Sequence, residues 1–166
     1  MVVEDNDVNR ELLGIMLEQL GHQVTAAGDG EDAIAACEGG HFDVVLMDLN
    51  LPRIGGIEAT RRILHRFAER AADRDAAPAP TIIALTASVS DADRAMCAAA
   101  GMRGFLTKPA TVFSLDAALR EATKGREPSA ASTASSTVIG DRRWTRRRSI
   151  HWLTSNRVLP SHSLSA

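Results

Sequence analysis

Residues 42–52 read Phe42-Asp43-Val44-Val45-Leu46-Met47-Asp48-Leu49-Asn50-Leu51-Pro52. Val44 to Met47 form an unbroken apolar run of strand-forming residues. That is the pattern of a parallel strand buried on both faces; a strand with one wet face would alternate. Asp48 ends the run, and Pro52, Gly55 and Gly56 open a loop behind it. Open α/β sheets bind ligands at the carboxyl ends of their strands, so this carboxylate stands where such a sheet places its chemistry. Taken alone, Asp48 reads better as a residue that merely caps a turn. Three further runs change the balance. Val2-Val3 leads into Glu4-Asp5, Thr81 to Leu85 leads into Thr86, and Gly104 to Thr107 leads into Lys108-Pro109. Four strands thus end in polar groups suited to metal and phosphate chemistry.

Helical spacing fills the intervals. Asn6 or Asp7 can cap a first helix with apolar positions Val8, Leu12, Ile15, Met16 and Leu20, closed by Gly21. Gln23 to Ala27 is a modest second strand. Glu31 to Glu38 is a short helix that buries Ala33, Ile34 and Cys37 and stops at Gly39-Gly40. Ile57, Thr60, Leu64 and Phe67 line one face of a third helix. Its other face carries Arg61, Arg62, Arg66 and Arg70, interrupted by Glu58 and Glu69, which reads as a solvated surface and not a nucleic-acid stripe. Two prolines, Pro78 and Pro80, deliver the chain to the Thr81 strand. Ser90 with Asp93 forms a capping box for a fourth helix, alanine-rich, with few large anchors, and therefore the most loosely held. Gly101 ends it. Val112, Leu115, Leu119 and Ala122 mark a last helix that ends near Lys124-Gly125. Five strands alternating with five helices predict a doubly wound parallel sheet covered on both faces.

The 166 residues, 45% hydrophobic and 24% charged, suit one soluble globular domain with a real core. The net charge of −2 is unevenly spread: residues 1–126 hold 13 Lys+Arg against 19 Asp+Glu, while residues 127–166 hold 6 against 2. We divide the chain there, into an acidic domain over 1–126 and a low-complexity basic tail over 127–166. Nine of the tail's forty residues are serine, Arg142 to Arg148 is a basic cluster, and Trp144 and Trp152 fall in no apolar period. Disorder is the expectation for it. Cys37 and Cys97 lie on different predicted helices in no metal-binding spacing, so a reduced chain is expected. His22, His41 and His65 are scattered and form no ligand set. No apolar run is long enough to cross a bilayer and the first residues are no signal peptide, which predicts a cytoplasmic protein without membrane contact.

Taken together, Val2-Val3-Glu4-Asp5-Asn6, Met47-Asp48-Leu49-Asn50-Leu51-Pro52, Ala84-Leu85-Thr86-Ala87 and Phe105-Leu106-Thr107-Lys108-Pro109 resemble the receiver domain of two-component response regulators, over residues 1 to about 125. The opening Glu4-Asp5-Asn6-x-x-Asn9-Arg10 resembles receivers attached to hybrid sensor histidine kinases. The resemblance implies a flavodoxin-like fold with strand order 2-1-3-4-5. It also implies a phosphorelay switch, phosphorylated on Asp48 by a histidine kinase or a histidine phosphotransfer domain. Glu4, Asp5 and Asp48 would converge, and three carboxylates that close repel unless a cation sits among them. Their hard oxygens suit Mg²⁺. By resemblance, Asp5, Asp48 and the backbone carbonyl of Asn50 bind the metal directly and Glu4 binds through water. Asp48 is the nucleophile, and Thr86 and Lys108 hold the phosphoryl oxygens. Thr86 and Phe105 form the conformational switch, and Lys108-Pro109 is a cis bond. A phosphorylation-dependent dimer is compatible with this family. Such a chain catalyses its own Mg²⁺-dependent phosphorylation and dephosphorylation while serving mainly as a signalling switch.

The chain departs from the family in carrying only Met1 to Val3 ahead of the acidic pair, where receivers usually have a longer strand, and in a tail that resembles no output domain. Two other functions compete. A haloacid-dehalogenase-type phosphohydrolase would use Asp48 as nucleophile, but that chemistry wants a second Asp two residues later, where Asn50 stands. A DNA-binding regulator would have to work through the tail, which has one basic cluster and no helix-turn-helix pattern. No specific nucleic-acid partner is expected.

Overall fold

A computed structural model describes residues 1–72, 77–88, 90–124 and 151–153. Strands β1 (Val2–Val3), β2 (Thr25–Ala27), β3 (Val44–Asp48), β4 (Thr81–Thr86) and β5 (Gly104–Thr107) alternate with helices α1 (Asp7–Gln19), α2 (Gly30–Gly39), α3 (Gly56–Arg70), α4 (Asp91–Ala99) and α5 (Val112–Thr123). The strands run parallel in the order β5-β4-β3-β1-β2, the expected doubly wound arrangement.

The apolar run of β3 divides between two cores because side chains alternate across a strand. Val45 and Met47 join Val3, Ile82 and Ala84 on one face, against Ala33, Cys37, Ala59, Ile63 and Cys97 from α2, α3 and α4. Leu46 joins Val2, Ile83 and Leu85 on the other, against Leu13 and Leu17 of α1 and Leu115 and Leu119 of α5. Burying each such side chain contributes about 1.5–3 kcal/mol, so both faces hold the central strand in one register.

The helix ends follow their local chemistry. The side chains of Asn6, Asp29, Ser90 and Thr111 accept hydrogen bonds from the first turns of α1, α2, α4 and α5, and Ser90–Asp93 closes the expected capping box. Gly21 and Gly101, just past α1 and α4, adopt left-handed backbone with φ of 88° and 91°, which side chains disfavour. Helix α4 buries only Cys97 among its residues and leaves Met96 exposed, in keeping with its few anchors.

One expectation is corrected. The sequence spacing assigns Val8, Leu12 and Ile15 to the buried face of α1, but they are exposed, and Leu13, Gly14 and Leu17 are buried instead. Helix α1 carries two apolar stripes, and only the one continuous with the partly buried Met16 and Leu20 meets the sheet. Within the tail, His151–Leu153 forms a sixth parallel strand, β6, outside β2, pairing Thr25, Ala26 and Ala27 with His151, Trp152 and Leu153. The rest of 127–166 lies outside the described residues.

The close approach of α3 to β3 is set at Gly56, where an added Cβ would fall within clashing distance of the Asp48 carbonyl oxygen. Gly56→Ala should therefore cost about 1–3 kcal/mol, the usual range for overpacking, measured by urea denaturation. Gly39→Ala, where an added Cβ meets nothing within 4 Å, is the control and should leave the midpoint near wild type. Equal midpoints for the two variants would show that α3 moves off β3 without cost.

Candidate functional site

The register of the sheet builds the site. Val3 pairs with Met47, so the next residues along, Glu4 and Asp48, emerge side by side at the carboxyl edge. One carboxylate oxygen from each of Glu4, Asp5 and Asp48 lies within 4.8 Å of the other two. Glu4 and Asp48 are buried and Asp5 is exposed.

Lys108 enters from the end of β5. Its Nζ donates to Oδ2 of Asp48 at 2.5 Å and meets Oε2 of Glu4 as a charge contact at 2.6 Å. Its backbone N–H donates to the Thr86 carbonyl at 2.8 Å, tying the ends of β4 and β5 together. Burial works to lower the pKa of this ammonium, but hydrogen bonds and charge from Asp48 and Glu4 outweigh it and hold the pKa above its ordinary value. The Lys108–Pro109 peptide bond is cis. The second Asp48 oxygen, Oδ1, accepts from the backbone N–H of Asn50 at 3.0 Å.

Thr86 stands at the same edge, but its hydroxyl is engaged elsewhere. Oγ1 donates to the carbonyl of Ser88 at 2.5 Å. Phe105 is half-buried against the α2–α3–α4 core, with the Arg94 guanidinium 5.2 Å from its ring centroid. Glu4, Asp5, Asp48, Asn50 and Lys108 are thus gathered into one pocket. Thr86 borders it, and Phe105 lies on the neighbouring strand β5, which pairs with β4 at Ala84.

The donor set fits a divalent cation. Oε2 of Glu4 is buried with the Lys108 ammonium against it, and the three carboxylates outnumber the one ammonium among them. Hard oxygen donors clustered at this spacing suit Mg²⁺.

Two residues of the pocket's surroundings carry no functional signal in composition or periodicity. Asn9 Nδ2 donates to Oε1 of Glu4 at 3.2 Å, and Arg10 Nη1 donates to the carbonyls of Glu4 and Asp5. The signal available was positional: side chains in the first turn of a helix lean back toward its N-terminus.

A family model described as response regulator receiver domain matches residues 1–120. The CAI-1 autoinducer sensor kinase/phosphatase CqsS of Vibrio cholerae is 37% identical over 110 residues, which are 66% of this chain and 15% of that protein. The chain thus spans about a seventh of the length of that relative. The receiver domain of sensor histidine kinase PA1611 from Pseudomonas aeruginosa, solved with a magnesium ion in its active-site cleft, is 39% identical with a TM-score of 0.60, covering 72% of this chain and 91% of that one. The Saccharomyces cerevisiae receiver of Ssk1, crystallised with the histidine phosphotransfer protein Ypd1, is 30% identical with a TM-score of 0.66, covering 74% and 84%.

The charge balance of the pocket is open to test without any ligand. Lys108→Ala leaves buried Glu4 and Asp48 without their ammonium, and breaking a buried pair costs about 3–5 kcal/mol. Lys108 itself is partly exposed, 24% by side chain, so solvent screening reduces the expectation to about 2 kcal/mol. The measurement is urea denaturation in EDTA. The deficit should be full below the ordinary lysine pKa and shrink as alkaline pH carries wild-type Lys108 through its raised pKa; a deficit unchanged across that window would exclude this electrostatic origin.

Proposed function

The chain belongs to the response regulator receiver domain family, and from that premise we propose that it accepts a phosphoryl group on Asp48 from a phosphohistidine donor. This family serves two-component phosphorelay signalling. The observation that carries the assignment to this pocket is the double contact of Lys108 with Asp48 and Glu4, at a strand end that also holds Asp5.

Asp5, Asp48 and the Asn50 carbonyl are the groups that would hold Mg²⁺, with Glu4 acting through water. When bound, the metal would supply positive charge that offsets the carboxylates and the charge building on the phosphoryl group. An oxygen of the Asp48 carboxylate attacks phosphorus in line; the P–O bond forms as the P–N bond to the donor imidazole breaks, and the imidazole leaves. Asn50 N–H holds Oδ1 and so orients the carboxylate. Lys108 transfers its hydrogen bond from Oδ2 to the phosphoryl oxygens as charge builds there. Thr86 reaches those oxygens by releasing Ser88, and Phe105 follows into the space vacated, a two-state change driven by a local charge.

The donor on this reading is a histidine kinase or a histidine phosphotransfer domain. The sensor-kinase relatives and the Ypd1-bound receiver support that class. The phosphoacceptor unit is residues 1–126, and the tail takes no part in the chemistry. Among the described residues no helix is long and apolar enough to cross a membrane.

Incubation with Mg²⁺ and a small phosphoryl donor such as phosphoramidate should add one phosphoryl group to the intact mass. Asp48→Asn and EDTA should each abolish it. Undiminished labelling of Asp48→Asn would reject the assignment.

A further inference from the structure

The turn between β1 and α1 is followed by two side chains that phosphoryl chemistry leaves without a task. Asn9 and Arg10 occupy the third and fourth positions of α1, and both reach back over Glu4 and Asp5. Arg10 Nη1 donates to the Glu4 carbonyl at 2.7 Å and the Asp5 carbonyl at 3.2 Å, while Nη2 pairs with the Asp7 carboxylate. The Arg10 side chain is only 12% exposed, and a Cβ on Gly28 would lie 3.7 Å from Nη1, so the guanidinium sits against the segment that leaves β2. A guanidinium so far withdrawn from water needs its donors answered, and here two backbone carbonyls and one carboxylate answer them. Asn9 completes the arrangement from above, its amide on Oε1 of Glu4 at 3.2 Å.

The consequence falls on Asp5. Its side chain is exposed, so packing does little to place its carboxylate, and the backbone must do so. Bonds from one planar, rigid group to the carbonyls of residues 4 and 5 fix the peptide planes on both sides of Asp5. Glu4 is held independently: its N–H donates to the Ala27 carbonyl at 3.2 Å, and its two carboxylate oxygens are shared between Asn9 and Lys108.

We propose that Asn9 and Arg10 are positioning residues for the acidic pocket. Arg10 locks the peptide planes around Asp5, and Asn9 locks the Glu4 carboxylate, so the oxygen cluster is set for a divalent cation in advance of binding. This rests on the receiver reading and adds to it two residues that touch neither metal nor phosphoryl group. Groups that orient metal ligands typically change affinity by about 10–100-fold when removed.

The test uses the full 166-residue chain. Mg²⁺ alone is titrated by calorimetry into wild type, Asn9→Ala, Arg10→Lys and Arg10→Gln. Labelling by phosphoramidate is then followed as a function of Mg²⁺, and melting temperature is recorded in EDTA. Arg10→Gln should raise the Mg²⁺ dissociation constant by about tenfold or more. It should raise half-saturation for labelling in parallel, with the rate at saturating Mg²⁺ returning toward wild type. Arg10→Lys, with one ammonium in place of the fork, should fall between, and Asn9→Ala should show a smaller loss of the same kind. A lower melting temperature with Mg²⁺ affinity unchanged would make Arg10 a merely structural residue and overturn the proposal. Should Arg10→Gln not fold, Asn9→Ala and Arg10→Lys decide it, and wild-type Mg²⁺ affinity in both overturns it. Wild type that neither binds Mg²⁺ nor becomes labelled defeats the receiver reading itself, an outcome separate from variants that behave as wild type.

Discussion

Repulsion among three carboxylates at one edge of the sheet is the constraint on which the rest of the structure turns. Unit charges no more than 4.8 Å apart repel by at least about 3 kcal/mol each pair at an effective dielectric constant near 20. A fold that is itself stable by only about 5–15 kcal/mol cannot leave such a term unanswered. The register that pairs Val3 with Met47 makes the juxtaposition unavoidable, because Glu4 and Asp48 are the next residues on adjacent parallel strands. Lys108 answers part of the charge directly, reaching both buried carboxylates from β5. What remains is an excess of negative oxygen that a divalent cation would neutralise. The pocket is therefore a cost to the fold that a bound cation would relieve.

The surrounding loops are held in ways that fit this cost. On one side, Arg10 ties the carbonyls of residues 4 and 5. On the other, the loop after Asp48 carries Arg53 in left-handed backbone with φ of 61°, a conformation that disfavours side chains by roughly 1–2 kcal/mol. Arg53 pairs from that position with Asp29 and Glu31, at the N-terminus of α2, and Asp29 is also that helix's cap. The ion pairs offset the strain and pin the loop to a packed helix. Acidic residues at a helix N-terminus are favoured by its dipole as well, so Asp29 and Glu31 serve α2 and the loop together. Behind both loops, strands buried on both faces give little room for the pocket to relax by spreading.

The sequence conveyed the strand ends well, because each couples an apolar run to a polar residue whose chemistry is visible without a structure. Glu4, Asp48 and Lys108 meet as those runs imply. It conveyed α1 poorly. Val8, Leu12 and Ile15 keep helical spacing as faithfully as Leu13 and Leu17 do, and spacing alone does not say which stripe faces a sheet. Asn9 and Arg10 were readable only as part of a family's opening motif, since their bonds run backward to main-chain atoms and to Glu4. The strand at His151–Leu153 is three residues long, too short for any period to register. Its partner is the edge strand β2, whose open hydrogen-bonding groups are a template for a segment from anywhere in the chain.

Thr86 shows where the structure stands relative to the chemistry. Its hydroxyl is spent on the Ser88 carbonyl at 2.5 Å, and Lys108 is spent on the carboxylates themselves. For Thr86 to donate to a phosphoryl oxygen on Asp48, the Ser88 bond must open. A neutral hydrogen bond has a net worth of about 1 kcal/mol, whereas one to a charged acceptor is roughly twice as strong. On the proposed reading, the exchange would be favourable only when the phosphoryl charge is present, so that charge would bias the Thr86–Ser88 bond. Ser90 caps α4, whose capping box preserves the helix while Cys97 is the one residue it buries. A helix intact in itself but lightly anchored moves as a unit. Arg94 on that helix lies over Phe105 on β5, so on the proposed reading displacement of α4 would be coupled to reorientation of the ring. On the proposed reading, a change in bonding at one hydroxyl would thereby become a change of surface on the α4–β5 side.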